Sequence, residues 1–406
     1  MGISKTTSAG ATPIPPAERL DSIDILRGVA LFGVLVVNLI MEFRVSLFQQ
    51  FLPVSTAATT ADRIVEVFVS LALESKAFCL FSLLFGVGLA IQFERLSRRG
   101  APLALLVRRL LALLAIGVLH LFFIWNGDIL TEYSLAGLVA LPFLFAGTRV
   151  VLAGSAVFLL LYLGLPLLPA PIPWPDPAWI SQHIVDANRV YATGSMSDVL
   201  RFSAHEIPSL LPLHLYVFPR TVALFLFGAF VWRVGVIRHA ELHRRLLLGV
   251  AYLGVAIGGL LTMFGAMKAW PKAVAAAVAY LSAVAPIILA LGYGAAVICL
   301  VEFTAARKVL SAVAPLGRTA FSNYLLQSVV FGWTFFGYGL GVFGHLGAAA
   351  ALLLGVAIYG LQVGLSAWWL RHYRFGPLEW LWRTLMYGAR QPMRVRRHAP
   401  SAAEEM

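Results

Sequence analysis

Charge is what this chain has least of. Of its 406 residues only 12% are charged, about half the share of a soluble domain, while 60% are apolar. A soluble chain of this length would form two or three domains, and so few charged residues could not cover their cores. Cysteine is almost missing. Cys79 and Cys299 both sit inside apolar runs, which excludes a disulfide scaffold and makes them expected buried thiols. Disorder and a collagen-like fibre are excluded by the same figures. Several catalytic signatures are absent as well: CxxC, HExxH, GxSxG and the P-loop do not occur. Gly339 to Gly344 spells GxGxxG, but it ends an apolar span and follows no strand, so no dinucleotide site is expected there. The histidines have no metal-ligand spacing, so no metal and no tightly bound cofactor are expected.

What is present is a series of apolar runs near the length of about 20 residues that a bilayer core demands. They fall at roughly 24–43, 74–93, 106–125, 132–148, 149–168, 214–232, 246–266, 274–300, 319–338 and 347–370. The expected fold is all-α, a polytopic transmembrane helical bundle of about ten spans. The net charge of +12 does not imply nucleic acid. Its arginines cluster in short connections: Arg95, Arg98, Arg99, Arg108 and Arg109; then Arg233, Arg238, Arg244 and Arg245; then Arg307 and Arg318; then Arg371 and Arg374, with Arg394, Arg396 and Arg397 in the tail. Such clusters come after every second span, so positive-inside bias puts both termini in the cytoplasm of a multi-pass protein, with attraction to anionic membrane lipid as a further effect.

Three regions result: a polar cytoplasmic segment at 1–23 without a signal-peptide core, a helical membrane domain at 24–370, and a cytoplasmic interfacial helix with a basic tail at 371–406. The longest outer loop is expected at about 169–213, opened by the proline-rich run Pro169 to Pro177. Asp62 to Leu71, Trp179 to Phe202 within that outer loop, and the Gly376-Pro377-Leu378-Glu379-Trp380-Leu381-Trp382-Arg383 segment mix apolar and charged residues as interfacial segments do.

The first span carries Asp24-Ile25-Leu26-Arg27-Gly28 and continues to Asn38. With Phe81-Ser82-Leu83-Leu84-Phe85-Gly86, then Gly117, His120 and Gly127-Asp128-Ile129-Leu130, then Gly317-Arg318 and Ser322 to Ser328, and the Gly376–Arg383 segment, this order of motifs resembles the bacterial YeiB family along nearly the whole chain. The Asp-x-x-Arg-Gly opening is also distantly similar to the transmembrane acyltransferase superfamily. That resemblance implies a bacterial cytoplasmic membrane enzyme taking an acyl group from a cytoplasmic donor, acetyl-CoA or another acyl-CoA, to a small-molecule or glycan acceptor at the other face. The O-acyltransferase branch has a histidine eleven residues after the motif arginine; here that place is Asn38, so the histidine must be sought elsewhere.

Asp24, Arg27, Asn38 and Glu42 share roughly a 60° arc of the first helix, with Asn38 and Glu42 about 16–27 Å further along it. Charges at membrane depth are expensive and face protein or a wet cavity. The bland reading is an Asp24–Arg27 pair at a helix end and Asn38 bonded to a neighbour; the sharper one is a wall of a polar path. In the third span His120 lies in the outer half of the bilayer and can serve as a general base. Asp128 reaches it only if the helix breaks near Gly127. Arg220, after Pro219, is another costly charge at similar depth. Asn323 and Gln327 share a helix face and suit either interhelical bonding or substrate orientation. Arg108, Arg109 and Arg318 are candidates for donor phosphate. The reading that joins these is an acyltransferase with His120 and Asp128 as its catalytic pair; the alternative is a non-enzymatic carrier or exporter of a small metabolite using the same stripe.

Overall fold

The computed structural model describes residues 20–51, 59–98, 100, 102–167, 172–267 and 270–395. The segment before Leu20, Arg99, the first residues of the proline-rich run, and Arg396 and Arg397 lie outside them.

Among the described residues the chain is helical, with no strand beyond one isolated bridge between Tyr373 and Arg394. In order the helices are α1 (Asp21–Asn38), α2 (Thr60–Ala72), α3 (Lys76–Ser97), α4 (Pro102–Phe123), α5 (Leu130–Ala140), α6 (Thr148–Gly164), α7 (Pro177–Thr193) and α8 (Met196–Arg233). They continue with α9 (Arg244–Ala266), α10 (Lys272–Phe303), the short α11 (Arg307–Leu310) and α12 (Ala314–Arg318), then α13 (Ala320–Phe335), α14 (Ala348–His372) and α15 (Pro377–Tyr387). Among the described residues eight helices are long and apolar enough to cross a membrane. The other two expected spans are shorter: α5 continues in a 3₁₀ turn to Phe145, and α13 has 16 residues, about 24 Å against a hydrocarbon core of about 30 Å.

Burial separates the protein-facing from the lipid-facing spans. The α1 span is 83% buried inside the bundle, while that of α9 is 17% buried yet equally apolar. Water would not tolerate that exposed face, and lipid does. The chain is thus a polytopic helical membrane protein.

The expected outer loop is mostly helix. A capping box between Ser195 and Asp198 starts α8, which runs unbroken through Pro208, Pro212 and Pro219 for 38 residues, about 57 Å. It overshoots the bilayer, and its first half packs on α7 instead of forming a connection. The mixed segment 62–71 is the amphipathic α2, capped by Thr59 and Asp62, with Ile64, Val67 and Phe68 exposed along one side.

Two glycine contacts let helices approach to backbone distance. Gly86 of α3 and Gly228 of α8 lie against each other's helix backbone, leaving no room for a Cβ at either. On the other side of α3, Gly317 at the end of α12 abuts the Asp24 carbonyl of α1, and a methyl there would collide with it. These approaches draw α1, α3, α8 and α12 together at the arginine-rich end.

Candidate functional site

A cavity of about 560 Å³ lies between α1, α3, α4, α13 and α15. Exposed Arg98 and Arg238 mark its open end, and buried Tyr133 and Tyr324 its closed end. Seven arginines line it (Arg27, Arg95, Arg98, Arg109, Arg238, Arg318 and Arg383) against three carboxylates, Asp24, Glu94 and Glu379.

Each carboxylate has partners. Asp24 accepts from Arg27 Nη1 at 3.3 Å, the pair expected from their spacing on α1. Glu94 accepts from Arg98 at 2.9 Å, Arg238 at 2.6 Å and the Trp232 indole at 3.1 Å. Glu379 caps α13, accepting from the backbone N–H groups of Phe321 (2.9 Å) and Ser322 (3.1 Å) and from the Ser322 hydroxyl (2.5 Å). Burial nevertheless pushes the Glu379 carboxyl above its usual range. Arg109 is different. It is 7% exposed, its guanidinium lies 4.1 Å over the Trp382 ring, and its Nη1 has no hydrogen-bond partner among the described residues.

Beyond the closed end stands His120, fully buried near the end of α4. The helix stops at Phe123 and the chain folds back through Gly127, where a side chain would strike the Trp125 indole. That break brings Asp128 to His120, with Nδ1···Oδ1 at 2.8 Å. A carboxylate only accepts, so Nδ1 carries the hydrogen, and in the neutral ring Nε2 keeps its lone pair. The other Asp128 oxygen accepts the Thr131 N–H at 2.7 Å and caps α5. Both oxygens are therefore engaged, and Asp128 orients the ring. Nε2 has no partner among the described residues. The Tyr324 ring, a cavity wall, is centred 5.5 Å from the His120 ring. Its hydroxyl accepts the Ile129 N–H at 3.4 Å and has no acceptor for its own hydrogen among the described residues. His120 with Nε2 free has the form of a general base, and Tyr324 that of a hydrogen-bond donor beside it.

The remaining expected site residues divide. Arg27, Arg109 and Arg318 line the cavity, whereas Arg108 is exposed and lies against Gly388 at the end of α15. One residue along a helix is about 100° of rotation, which turns Arg108 outward when Arg109 faces in. Asn323 donates to the Thr319 carbonyl (3.0 Å) and hydroxyl (2.9 Å) and to Ser366 (3.0 Å), and Gln327 donates to Gln362 at 2.8 Å. Both join α13 to α14 and do not line the cavity. Asn38 is buried with its Oδ1 unpartnered, away from the cavity wall. Glu42 lies in a π-turn (Leu39–Phe43) that ends α1, in electrostatic contact with Glu74 and Tyr324. Arg220 does not join His120. It sits 5.7 Å over Tyr162, in electrostatic contact with Cys79, Glu132 and Tyr133.

Two polar clusters escape sequence reasoning. Glu132 accepts from Thr221 Oγ1 at 2.5 Å and faces His214 Nδ1 at 2.9 Å. Glu206 of α8 accepts from Asn126 at 2.6 Å and from the Tyr191 hydroxyl, and faces His183 Nε2 at 2.6 Å. Burial, with the charge of Glu206, pushes the Tyr191 phenol well above its usual range. The partners lie many residues apart, so no spacing announces them. Among the described residues no group of His, Cys, Asp and Glu could hold a metal ion.

A family model described as a protein of unknown function (DUF418) matches residues 231–389, the stretch that supplies Arg238, Arg318, Tyr324, Glu379 and Trp382 to the cavity. Curated relatives match almost end to end. The uncharacterized protein YxaH of Bacillus subtilis (strain 168) is 33% identical over 93% of this chain and 96% of its own length. The uncharacterized 39.9 kDa protein in the amylase 3'region of Bacillus acidopullulyticus is 28% identical over 95% and 99%, and the uncharacterized protein YeiB of Escherichia coli (strain K12) 28% over 92% and 98%. The chain belongs to this YeiB-type family of unknown function. No solved structure matches it.

Proposed function

We propose that this protein is a transmembrane acyltransferase of the bacterial cytoplasmic membrane. It binds an acyl thioester such as acetyl-CoA from the arginine-lined, cytoplasmic end and transfers the acyl group to an acceptor, a small molecule or glycan, from the outer side. The observation that carries this reading is the histidine behind the closed end of the cavity: buried, oriented through Nδ1 by Asp128, and with Nε2 unpartnered. A histidine nitrogen left bare at membrane depth costs about 1–3 kcal/mol, and a bound acceptor group offsets that cost.

In the step this supports, His120 Nε2 takes the proton of the acceptor hydroxyl or amine as its oxygen or nitrogen attacks the thioester carbonyl carbon. Asp128 stabilises the imidazolium that forms. Tyr324 donates to the oxyanion of the tetrahedral intermediate. The carbon–sulfur bond then breaks, and His120 returns the proton to the departing thiolate. The seven arginines that line the cavity favour a donor with several negative charges.

The test is acyl transfer from labelled acetyl-CoA in cells and in proteoliposomes. His120→Ala and Asp128→Asn should each lower turnover by about 10²–10⁴-fold, the latter because an amide no longer selects the Nδ1–H form. Undiminished product in His120→Ala overturns the assignment. Solute movement without acyl transfer in the unaltered protein would instead mark a carrier.

A further inference from the structure

Resting on the acyl-donor reading, we infer that Arg109 anchors the phosphate of a phosphopantetheine thioester, and that α4 measures the distance from that phosphate to the reacting carbonyl.

Arg109 is the cavity cation that the protein leaves incomplete. Its residue is more than nine-tenths buried, and its Nη1 meets no acceptor among the described residues. The three cavity carboxylates are engaged elsewhere: Asp24 with Arg27, Glu94 at the open end, and Glu379 with the start of α13. The positive charges of Arg383 and Arg27 act on Arg109 more strongly than any negative one does. A buried charge without a counter-charge is strongly unfavourable, and a bound anion is what relieves it. Trp382 beneath the guanidinium, with its indole N–H on the Arg109 carbonyl at 2.8 Å, fixes the plane of the fork. A fixed fork suits the two oxygens of a phosphate.

The position of this site sets the ligand's length. Arg109 and His120 are on one helix, and eleven residues at 1.5 Å each separate their backbone positions by about 16 Å along its axis. A phosphopantetheine arm has about 13 single bonds from phosphorus to sulfur, which span about 16 Å when extended. An acyl phosphate, with its phosphate directly on the carbonyl, cannot reach both residues. Between them the wall is apolar, with Phe81, Phe85, Leu113 and Leu130, as the uncharged arm requires. Coenzyme A and acyl-carrier protein both present this arm, and Arg98 and Arg238 at the open end lie where a nucleotide would extend beyond the phosphate.

The experiment is calorimetric binding to the purified full-length protein in detergent, using 4′-phosphopantetheine, pantetheine and coenzyme A, none of which needs an acceptor. The unaltered protein should bind 4′-phosphopantetheine about 10–100-fold more tightly than pantetheine, the value of one charge-assisted pair. Arg109→Gln should erase that difference and leave pantetheine binding unchanged, with Arg109→Lys between the two. Coenzyme A binding more tightly still, by an amount lost in Arg98→Gln/Arg238→Gln, supports the anchor with a nucleotide carrier; no gain from the nucleotide supports it with a carrier protein. Equal binding of 4′-phosphopantetheine and pantetheine, or no binding of either at millimolar concentration, overturns the anchor without recourse to any variant. So does full 4′-phosphopantetheine affinity in Arg109→Gln. Phosphate-dependent binding in a protein that transfers nothing would sustain the anchor and overturn the transferase, whereas transfer with phosphate-independent binding would do the reverse.

Discussion

Two buried polar regions of this molecule are built on opposite terms. Around Glu206 the groups are matched: the carboxylate takes Asn126, Tyr191 and His183, and the His183 ring is stacked between Trp179 (4.4 Å) and Phe202 (5.0 Å). Around the cavity they are not, since Arg109 Nη1 and His120 Nε2 are buried with no partner among the described residues. Both regions hold charge where charge is expensive, but only the first offsets the cost within the protein. A satisfied network fixes structure; Arg109 Nη1 and His120 Nε2 differ from other unpartnered atoms such as Asn38 Oδ1 in standing in or beside the cavity, where a ligand can complete their bonding. The two regions also touch, because Asn126, held by Glu206, stands two residues before Asp128.

The contrast breaks first at Glu206. Glu206→Ala leaves buried Asn126 and Tyr191 and half-buried His183 without their shared partner, and it should destabilise the folded protein by about 3–5 kcal/mol, measured by chemical or thermal unfolding in detergent. A variant as stable as the parent would show that this network is not structural. On the other side, Tyr324→Phe should leave unfolding almost unchanged while lowering kcat about 10²-fold at constant KM, in line with removal of one oxyanion donor. A loss confined to KM would move Tyr324 out of the reacting end.

A smaller effect is expected where the two kinds of region meet. Glu379 is fully bonded yet lines the cavity. Because burial raises its folded pKa, the folded chain holds that proton more firmly than the unfolded chain does. Its contribution is therefore most favourable at or below the ordinary carboxylate range and is lost as pH rises from there through the folded value. Melting measured over about pH 4 to 8 should show that decline, flattened in Glu379→Gln. The smallest effect belongs to Arg108→Gln. Exposed at the surface next to Arg109, it should change neither melting nor donor binding beyond about 0.5 kcal/mol, and a marked loss would mean that the cavity extends around α4.

Much of the architecture was legible in one dimension. Apolar run length marked the spans, the mixed faces of Asp62 to Leu71 the amphipathic α2, and the Asp24–Arg27 spacing their ion pair, because each depends on neighbours a few residues apart. The break at Gly127 was a condition that the sequence stated and the structure met. What misled was locality itself. The 169–213 stretch reads as a loop, but past Asp176 it is α7 and the first part of α8, where Ser195 and Asp198 cap a helix that runs on through Pro208 and Pro212. Arg220 reads as a companion of His120 by depth along its helix, yet depth says nothing of direction around a bundle, and it faces Tyr162. Asn323 and Gln327 have the chemistry of substrate contacts, and α14 claims them first.

By itself the sequence determined the solvent of this protein, the number and order of its apolar segments, and the end at which its arginines gather. Those properties depend on composition and on periods shorter than one helix. Only the tertiary structure decided which polar groups are spent on one another and which remain. Hydrogen-bond partners such as Asn126 and Glu206 are 80 residues apart in the chain, and nothing local encodes their meeting. Packing through Gly86, Gly228 and Gly317 brings the helices close enough to enclose a cavity, and that enclosure leaves Arg109 at one level and His120 at another with their bonding unfinished.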